Sequence, residues 1–328
     1  MRVCPRCGFS EASSPRLVCL LCGAAMEEER EQWAGTVLED RYRLDDLLGS
    51  GGMARVHRGL DLQSGRVVAI KVLRRELTYD ATWIERMRRE ARAAAASRHP
   101  NIVEIFAFGQ TPDGAPYIVM ELLDGKPLHR ILAECGRVPC AIATPIAAQI
   151  AEALACTHRL GIAHRDLKPE NVFVRWDQHG APHVTLVDFG LSRIPEDTRL
   201  TEPGQVVGTP QYMAPERAWH FEAGTAADLY SLGVVLFEMV TGQLPLPAGS
   251  PAAVVMRAMH EEAPHARTLR ADIPAELDLL ISRLLERNPE DRPPTASEVA
   301  TRLWNIARRE QLIEADKNQV IAQKTVDR

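Results

Sequence analysis

Two segments in the first quarter of the chain combine residue types that suit polyphosphate chemistry. Gly49-Ser50-Gly51-Gly52-Met53-Ala54-Arg55-Val56 concentrates glycines, whose missing Cβ lets backbone amides approach a phosphate. Taken alone, the same stretch also describes an ordinary glycine-rich hairpin that binds nothing. Val68-Ala69-Ile70-Lys71 gives it weight. A lysine flanked by apolar residues on a strand needs a partner, or burial would push its pKa down. Glu90, within Arg88-Arg89-Glu90-Ala91, is the candidate partner. Lysine usage bears on this independently. Of 39 basic residues only five are lysine: Lys71, Lys126, Lys168, Lys317 and Lys324. Arginine carries generic positive charge in this chain, so each lysine marks a place where a compact ammonium differs from a planar fork.

A second chemistry stands at the start. Cys4-Pro5-Arg6-Cys7-Gly8 and Cys19-Leu20-Leu21-Cys22-Gly23 hold four of the seven cysteines in two pairs of equal spacing. That spacing lets a pair hold one metal ion from a tight turn, and the following glycine can take positive φ and bring N–H groups toward sulfur. Four thiolates closing a tetrahedron suit structural zinc. Iron is the alternative metal, and two disulfides are the alternative covalent arrangement. About 25 residues are too few to build a core, and metal binding would supply the missing folding free energy. Residues 1–26 are thus similar to a zinc ribbon. Arg2, Arg6 and Arg16 against Glu11, with about −2 from a Zn(Cys)4 centre, leave little net charge to attract phosphate. A docking or stabilising module is expected rather than a nucleic-acid binder. Cys135, Cys140 and Cys156 lack any such pattern and are expected as buried packing residues.

Further along come His164-Arg165-Asp166-Leu167-Lys168-Pro169-Glu170-Asn171, Asp188-Phe189-Gly190, Gly208-Thr209, Ala214-Pro215-Glu216, Asp228 through Gly233, and Asn288 through Arg292. With the glycine loop and Lys71 they agree in order with the protein-kinase signature set. Over about residues 42–307 the chain resembles the bacterial branch of the eukaryotic-type (Hanks-type) Ser/Thr protein kinases. Lys168 and Gly208-Thr209 are its Ser/Thr-type features; Gly51-Gly52-Met53 and Arg88-Arg89-Glu90 are its bacterial ones.

The resemblance implies an α+β, two-lobed protein-kinase fold behind the ribbon. A β-rich N-lobe would span about residues 41–120, a hinge 121–123 and a helical C-lobe 124–307. Lys71, held by Glu90, would bind the α/β phosphates of ATP, and Asp188 and Asn171 would hold Mg2+ (or Mn2+). Asp166 would orient the substrate hydroxyl and accept its proton, with Lys168 against the transferred γ-phosphate. Gly49, Ser50, Gly51, Gly52, Val56 and Ala69 would contact the nucleotide. The backbone of Glu121 to Leu123 would bond adenine, with Met120 at the gatekeeper position. Thr209 would bond near Asp166 and favour hydroxyl amino acids, and Glu216 and Arg292 would form a structural ion pair. Ala54 departs from the family's third glycine. Arg165 would meet a phosphorylated residue in 191–213. The candidates are Thr201, Thr198 and Ser192, with Thr201 preferred because it lies eight residues before Thr209. The implied activity is Mg-ATP-dependent phosphoryl transfer to Ser/Thr hydroxyls of protein substrates, with a homodimer as the form in which autophosphorylation would occur. The alternative is a catalytically idle, nucleotide-binding scaffold, against which intact Lys71, Asp166 and Asp188 argue.

These residues need elements to hold them. Three apolar runs in residues 41–73, separated at Gly49–Gly52 and Ser64-Gly65, predict a three-stranded antiparallel meander. Ala81 to Ser97 contains no breaker and predicts a helix. Ile102–Phe108 and Tyr117–Glu121 predict two strands joined by a turn at Thr111–Gly114. Helices are expected from Leu128 on, interrupted at Val172–Val174 and Val184–Val187. Residues 27–40 open on Glu27-Glu28-Glu29-Arg30-Glu31 and read as an acidic linker or short solvated helix. Residues 308–328 read as a polar tail or extra helix. A β-rich half followed by a helical half commonly leaves a ligand cleft between them.

Composition bounds the rest. With 328 residues, 45% hydrophobic and 25% charged, the chain is globular rather than disordered and has room for about two domains. A net charge of −5 argues against a basic nucleic-acid binder. No continuous apolar run long enough to span a bilayer is present, and Met1 through Ser10 lacks the apolar stretch of a signal peptide. A cytoplasmic location with reduced thiols is the expectation. No internal repeat is evident.

Overall fold

The computed structural model of the chain describes residues 2–3, 10–11, 18, 24, 27–28, 33–188, 210–218 and 224–310, with backbone alone at residues 2–3, 10–11 and 27–28 and at Arg86, Glu90, Ala218 and Pro251. The chain forms two compact units. One is Met1–Arg98 with Val103–Leu123; the other is His99–Ile102 with Asp124–Arg328.

The first unit holds two sheets. The smaller consists of β1 (Arg2–Val3), β2 (Ser10–Glu11) and β3 (Glu27–Glu28), with β1 in the centre and both pairings antiparallel. Glu27–Glu28 is therefore a strand, not the start of a linker or a helix. In the register Arg2 stands opposite both Glu11 and Glu28.

The larger sheet has six strands: β4 (Val37–Leu38), β5 (Tyr42–Ser50), β6 (Ala54–Asp61), β7 (Val67–Leu73), β8 (Ile105–Gln110) and β9 (Pro116–Glu121), in the order β4-β5-β6-β7-β9-β8. The meander of β5, β6 and β7 is the one the apolar runs predict. β4 falls in the stretch read from sequence as linker. The loop Glu39 to Arg41 joins it to β5, closed by the Arg41 N–H donating to the Leu38 carbonyl at 3.0 Å. Glu39 and Asp40 both have positive φ, 49° and 53°. Such a turn normally carries Asn or Gly, so Glu-Asp gives no hairpin signal. Left-handed backbone at an L-residue costs about 1–2 kcal/mol. It is offset by burial of Leu38, by Trp33 packing on the core and by the Arg41 fork on Asp61 at 3.0 and 2.8 Å. That core comprises Leu38, Tyr42, Leu44, Val68, Ile70, Val72, Ala115, Tyr117 and Val119.

Helix α1 (Ala81–Ala96) follows β7; the Asp80 side chain caps it by accepting from the Thr82 N–H at 2.8 Å. The strand expected from Ile102 begins at Ile105 instead. Residues 99–102 are claimed by the second unit. The buried Asn101 amide donates to Gln149 Oε1 at 3.0 Å and to the Val184 carbonyl at 2.7 Å, and Ile102 bridges Leu186 in parallel.

The second unit carries a small sheet, β10 (Lys126–Pro127), β11 (Val172–Trp176) and β12 (Pro182–Leu186), and the helices α2 (Leu128–Cys135), α3 (Cys140–Arg159), α4 (Ala226–Thr241), α5 (Pro251–His260), α6 (Ala266–Leu269), α7 (Ala275–Leu284) and α8 (296–310). By length and composition α3 could cross a membrane, which the sequence reading did not anticipate. Its apolar residues are used inside the unit instead, with Ile146, Ile150 and Leu154 fully buried. At Gly233 in α4 a Cβ would lie 2.8 Å from Leu284 Cβ of α7, so the bare backbone permits the close approach of the two helices. Cys140 and Cys156 are buried as expected, whereas Cys135 is exposed at the end of α2. Burial pushes the Cys140 thiol up to about 11.

Candidate active site

The candidate residues divide between the two units. In the first, strand register decides which side chains share a face, because directly paired residues of antiparallel strands point to the same side. Lys71 pairs with Val56 and Ile118, and Ala69 pairs with Met120. These five therefore share one face of the sheet. Val68, Ile70 and Val72 alternate to the other face and enter the core with Tyr117 and Val119. Lys71 is buried on β7, the fourth of the six strands, flanked by β6 and β9. Glu90 lies on α1 at the same helical face as buried Met87 and Ala94.

The glycine loop joins β5 to β6. Their register runs to Ser50 opposite Arg55, and the Gly51 N–H donates to the Ala54 carbonyl at 2.9 Å. Gly49, Gly51 and Gly52 do not have positive φ. A Cβ at Gly49 or Gly52 would meet nothing within 4 Å. The fold itself does not require glycine there, and without a Cβ the backbone stays open. Ala54 is the first residue of β6, paired with Leu73, and an ordinary strand position does not need a glycine. At the far end of β9, Glu121 donates its N–H to the Glu104 carbonyl and accepts the Glu104 N–H on its side chain, both at 2.9 Å. The first unit ends two residues later, at Leu123.

In the second unit, three of the four predicted catalytic side chains converge. Lys168 Nζ donates to Asp166 Oδ2 at 2.8 Å; Asn171 Nδ2 donates to the same oxygen at 3.1 Å and to the Asp166 carbonyl at 2.8 Å. Asp166 is only partly buried, so its carboxylate is fixed by an ammonium and an amide yet remains reachable. Asn171 is buried, and its own carbonyl accepts the Val187 N–H at 3.0 Å. That bond brings the end of β12, and with it Asp188, against the loop. Asp188 has a φ of 63°.

The fixing of this loop comes from a residue 62 positions away, in α4. The Asp228 carboxylate accepts the His164 N–H at 2.7 Å, the Arg165 N–H at 2.8 Å and a contact from His158 Nε2 at 2.9 Å. Burial opposes its ionisation, but these partners outweigh burial and hold its pKa below the usual carboxylate range. Arg165 itself has a φ of 65°, and its carbonyl accepts from Arg217 Nη1. The buried His164 ring accepts the Asp166 N–H on Nδ1 at 3.3 Å, so Nε2 donates to the Val187 carbonyl at 3.1 Å. Burial lowers the His164 pKa and so favours the neutral ring that this bridging role requires. Sequence reasoning quoted Asp228 only as part of a motif and gave no role to His158 or Arg217. Their partners are mainly backbone groups, which no residue type announces.

Glu216 and Arg292 pair as the resemblance implies. Arg292 Nη1 and Nη2 donate to Glu216 at 2.7 and 2.8 Å; the remaining donors reach the carbonyls of Ala226, Glu286 and Arg287 at 2.9, 2.7 and 3.0 Å. Thr209, the phosphorylation candidates Thr201, Thr198 and Ser192, and the cysteines Cys4, Cys7, Cys19 and Cys22 lie outside the described residues. Among the described residues no group of three or more His, Cys, Asp or Glu side chains is placed to hold a metal ion. The smaller pair of oxygen donors, Asp188 and Asn171, is described above.

Residues 42–305 match the family described as "Protein kinase domain". Two curated relatives are Serine/threonine-protein kinase pkn3 of Myxococcus xanthus and Serine/threonine-protein kinase PknB of Mycolicibacterium smegmatis. The first is 37% identical over 274 residues, covering 82% of this chain and 50% of that protein. The second is 40% identical over 274 residues, covering 82% of this chain and 43% of that protein. The chain thus spans half or less of the length of these relatives. A crystal structure of the Mycobacterium tuberculosis PknI kinase domain aligns with a TM-score of 0.64 at 26% identity, covering 83% of this chain and 98% of that one.

Proposed function

The chain belongs to the protein kinase family, and on that premise we propose that it transfers the γ-phosphoryl group of ATP to Ser or Thr hydroxyls of protein substrates. The observation that carries this reading is the convergence of Lys168 and Asn171 on Asp166. Asp166, oriented by an amide and partly exposed, takes the hydroxyl proton as the bond to phosphorus forms. Lys168 carries its charge to the transferred group. Lys71 binds the α/β phosphates, and the open backbone of Gly49 to Gly52 gives its amides to the polyphosphate. The catalysis is chiefly positioning and charge neutralisation.

The residues also fit a divalent cation. With the Asn171 NH2 spent on Asp166, its amide oxygen is the atom left to coordinate, and the Asp188 carboxylate is a second hard donor. A Mg2+ ion held by these two residues would supply charge neutralisation to the polyphosphate. The test is transfer from γ-labelled ATP to a basic protein substrate. Asp166→Asn is expected to lose about 10²–10⁴-fold of the rate while retaining ATP binding. Equal transfer by both proteins would sink the catalytic role and favour a nucleotide-binding scaffold.

Two finer readings go with it. The Cys4, Cys7, Cys19 and Cys22 set is proposed as a structural zinc ribbon. The spacing supports this, as does the antiparallel pairing of Val3 with Ser10, between which Cys4 and Cys7 fall. Metal analysis of the purified chain is expected to give one zinc per chain, lost on double Cys4→Ser, Cys7→Ser substitution; a metal-free protein refutes it. Autophosphorylation at Thr201 is supported by Arg165, which the fold holds beside the catalytic aspartate. Peptide mapping that finds Thr201 unmodified in active protein refutes that reading.

A further inference from the structure

Arg74 stands one residue past β7, three positions after Lys71, and no role in phosphate chemistry was assigned to it above. Its Nε donates to the Gly51 carbonyl at 2.7 Å and its Nη2 donates to Ser50 Oγ at 2.7 Å. Its backbone N–H donates to the Met53 carbonyl at 2.9 Å and continues the β6–β7 ladder to the edge of the loop. One residue thus grips both sides of the tip of the glycine loop. Nε and Nη2 lie along one edge of the planar guanidinium, so two acceptors are held at once in fixed geometry.

The consequence follows from peptide planarity. In a trans peptide the carbonyl and the following N–H point in opposite directions. Fixing the Gly51 carbonyl toward Arg74 therefore fixes the Gly52 N–H to point away from it. The glycines, which otherwise have the most backbone freedom to lose, lose much of it before any ligand arrives. We propose that Arg74 is a positioning residue for polyphosphate, anchoring the Gly51–Gly52 peptide to the strand that carries Lys71, so that loop amides and lysine ammonium are presented as one preset group. This rests on the reading of residues 49–54 as a phosphate loop.

The test measures binding of adenosine and of MgATP to the full chain, with KM for ATP and for a protein substrate alongside. Arg74→Ala is expected to weaken MgATP about five- to tenfold, the worth of one ordinary hydrogen bond, and to leave adenosine within twofold. KM for ATP rises in step while KM for the protein substrate does not. Arg74→Lys is expected to behave like Arg74→Ala, because a lysine keeps the charge but not the fork. Ser50→Ala weakens MgATP more mildly, and the double variant Ser50→Ala, Arg74→Ala is expected to be no worse than Arg74→Ala alone. Full recovery in Arg74→Lys would mean charge alone acts, and would overturn the clamp. So would equal losses for adenosine and MgATP, or multiplicative losses in the double variant. Wild-type protein that binds MgATP with no change in Arg74→Ala overturns the clamp and leaves the kinase reading standing. Wild-type protein that binds no MgATP overturns both. Ser50→Ala removes a single hydroxyl, so it keeps the proposal open to refutation if Arg74→Ala fails to fold.

Discussion

Arg292 shows what a single side chain can commit. All five of its N–H groups are bonded, its side chain has no exposed surface, and its guanidinium lies 5.1 Å from the Tyr230 ring centre. Glu216 is nearly as enclosed. Removing one member of such a pair leaves the other charged and buried, which costs about 3–5 kcal/mol. Arg292→Ala and Glu216→Ala are each expected to lose that much in urea unfolding, and the double variant less than the sum. Losses under 1 kcal/mol would mean water already reaches the pair. The two residues were legible in the sequence through the family resemblance, which pairs them. The carbonyls of Ala226, Glu286 and Arg287 were not legible, because a backbone acceptor carries no residue identity. The catalytic loop divides the same way. Asp166, Lys168 and Asn171 could be named from the motif that the resemblance supplies, while the amides of His164 and Arg165 that hold the loop to Asp228 could not.

At the scale of elements, periodicity located most strands and helices, since alternation and helical spacing are imposed by burial of one face. It failed where a local rule was broken. β4 was missed because its turn uses Glu39 and Asp40 in left-handed backbone, and because acidic residues nearby masked Trp33, Val37 and Leu38. The start of β8 was misplaced because Asn101 is bonded across to Gln149 and Val184, a contact between residues far apart in sequence. The α4–α7 contact gives a prediction with two opposed effects. Gly233→Ala gains about 1 kcal/mol of helix propensity. It also sets a methyl 2.8 Å from Leu284 Cβ and 3.1 Å from Leu285 Cδ2, an overpacking worth about 1–3 kcal/mol. The nearest atom is a Cβ, which cannot rotate away, so overpacking wins. Thermal unfolding should show a lower midpoint for Gly233→Ala; a higher one would mean the helices part without penalty.

For the whole molecule, titration links stability to pH through the second unit. Burial lowers the pKa of His99, His129 and His164 below the ordinary histidine value. Above about pH 6.5 both folded and unfolded chains hold these rings neutral, and their contribution is full. As pH falls below that value the unfolded chain takes up protons that the folded chain resists, and stability drops by up to about 1.4 kcal/mol per pH unit for each ring. Urea midpoints should therefore fall between pH 7 and pH 5, and His129→Gln should flatten the slope. A midpoint independent of pH over that range would show that the rings titrate freely in the folded chain. The sequence showed none of this, since depressed histidines are a product of packing.

The strand β4 also sets how far the N-terminal sheet can stray. β3 ends at Glu28 and Trp33 is already packed on the core, so only residues 29–32 intervene, against the whole of 27–40 read from sequence as linker. Five Cα steps reach at most about 17 Å. So short a leash makes any ligand or protein captured by residues 1–28 a near neighbour of the sheet that bears Lys71, at an effective concentration in the millimolar range. A partner too weak to bind the second site from solution could then occupy it through the first, and the ordering of the two encounters would be dictated by chain length alone.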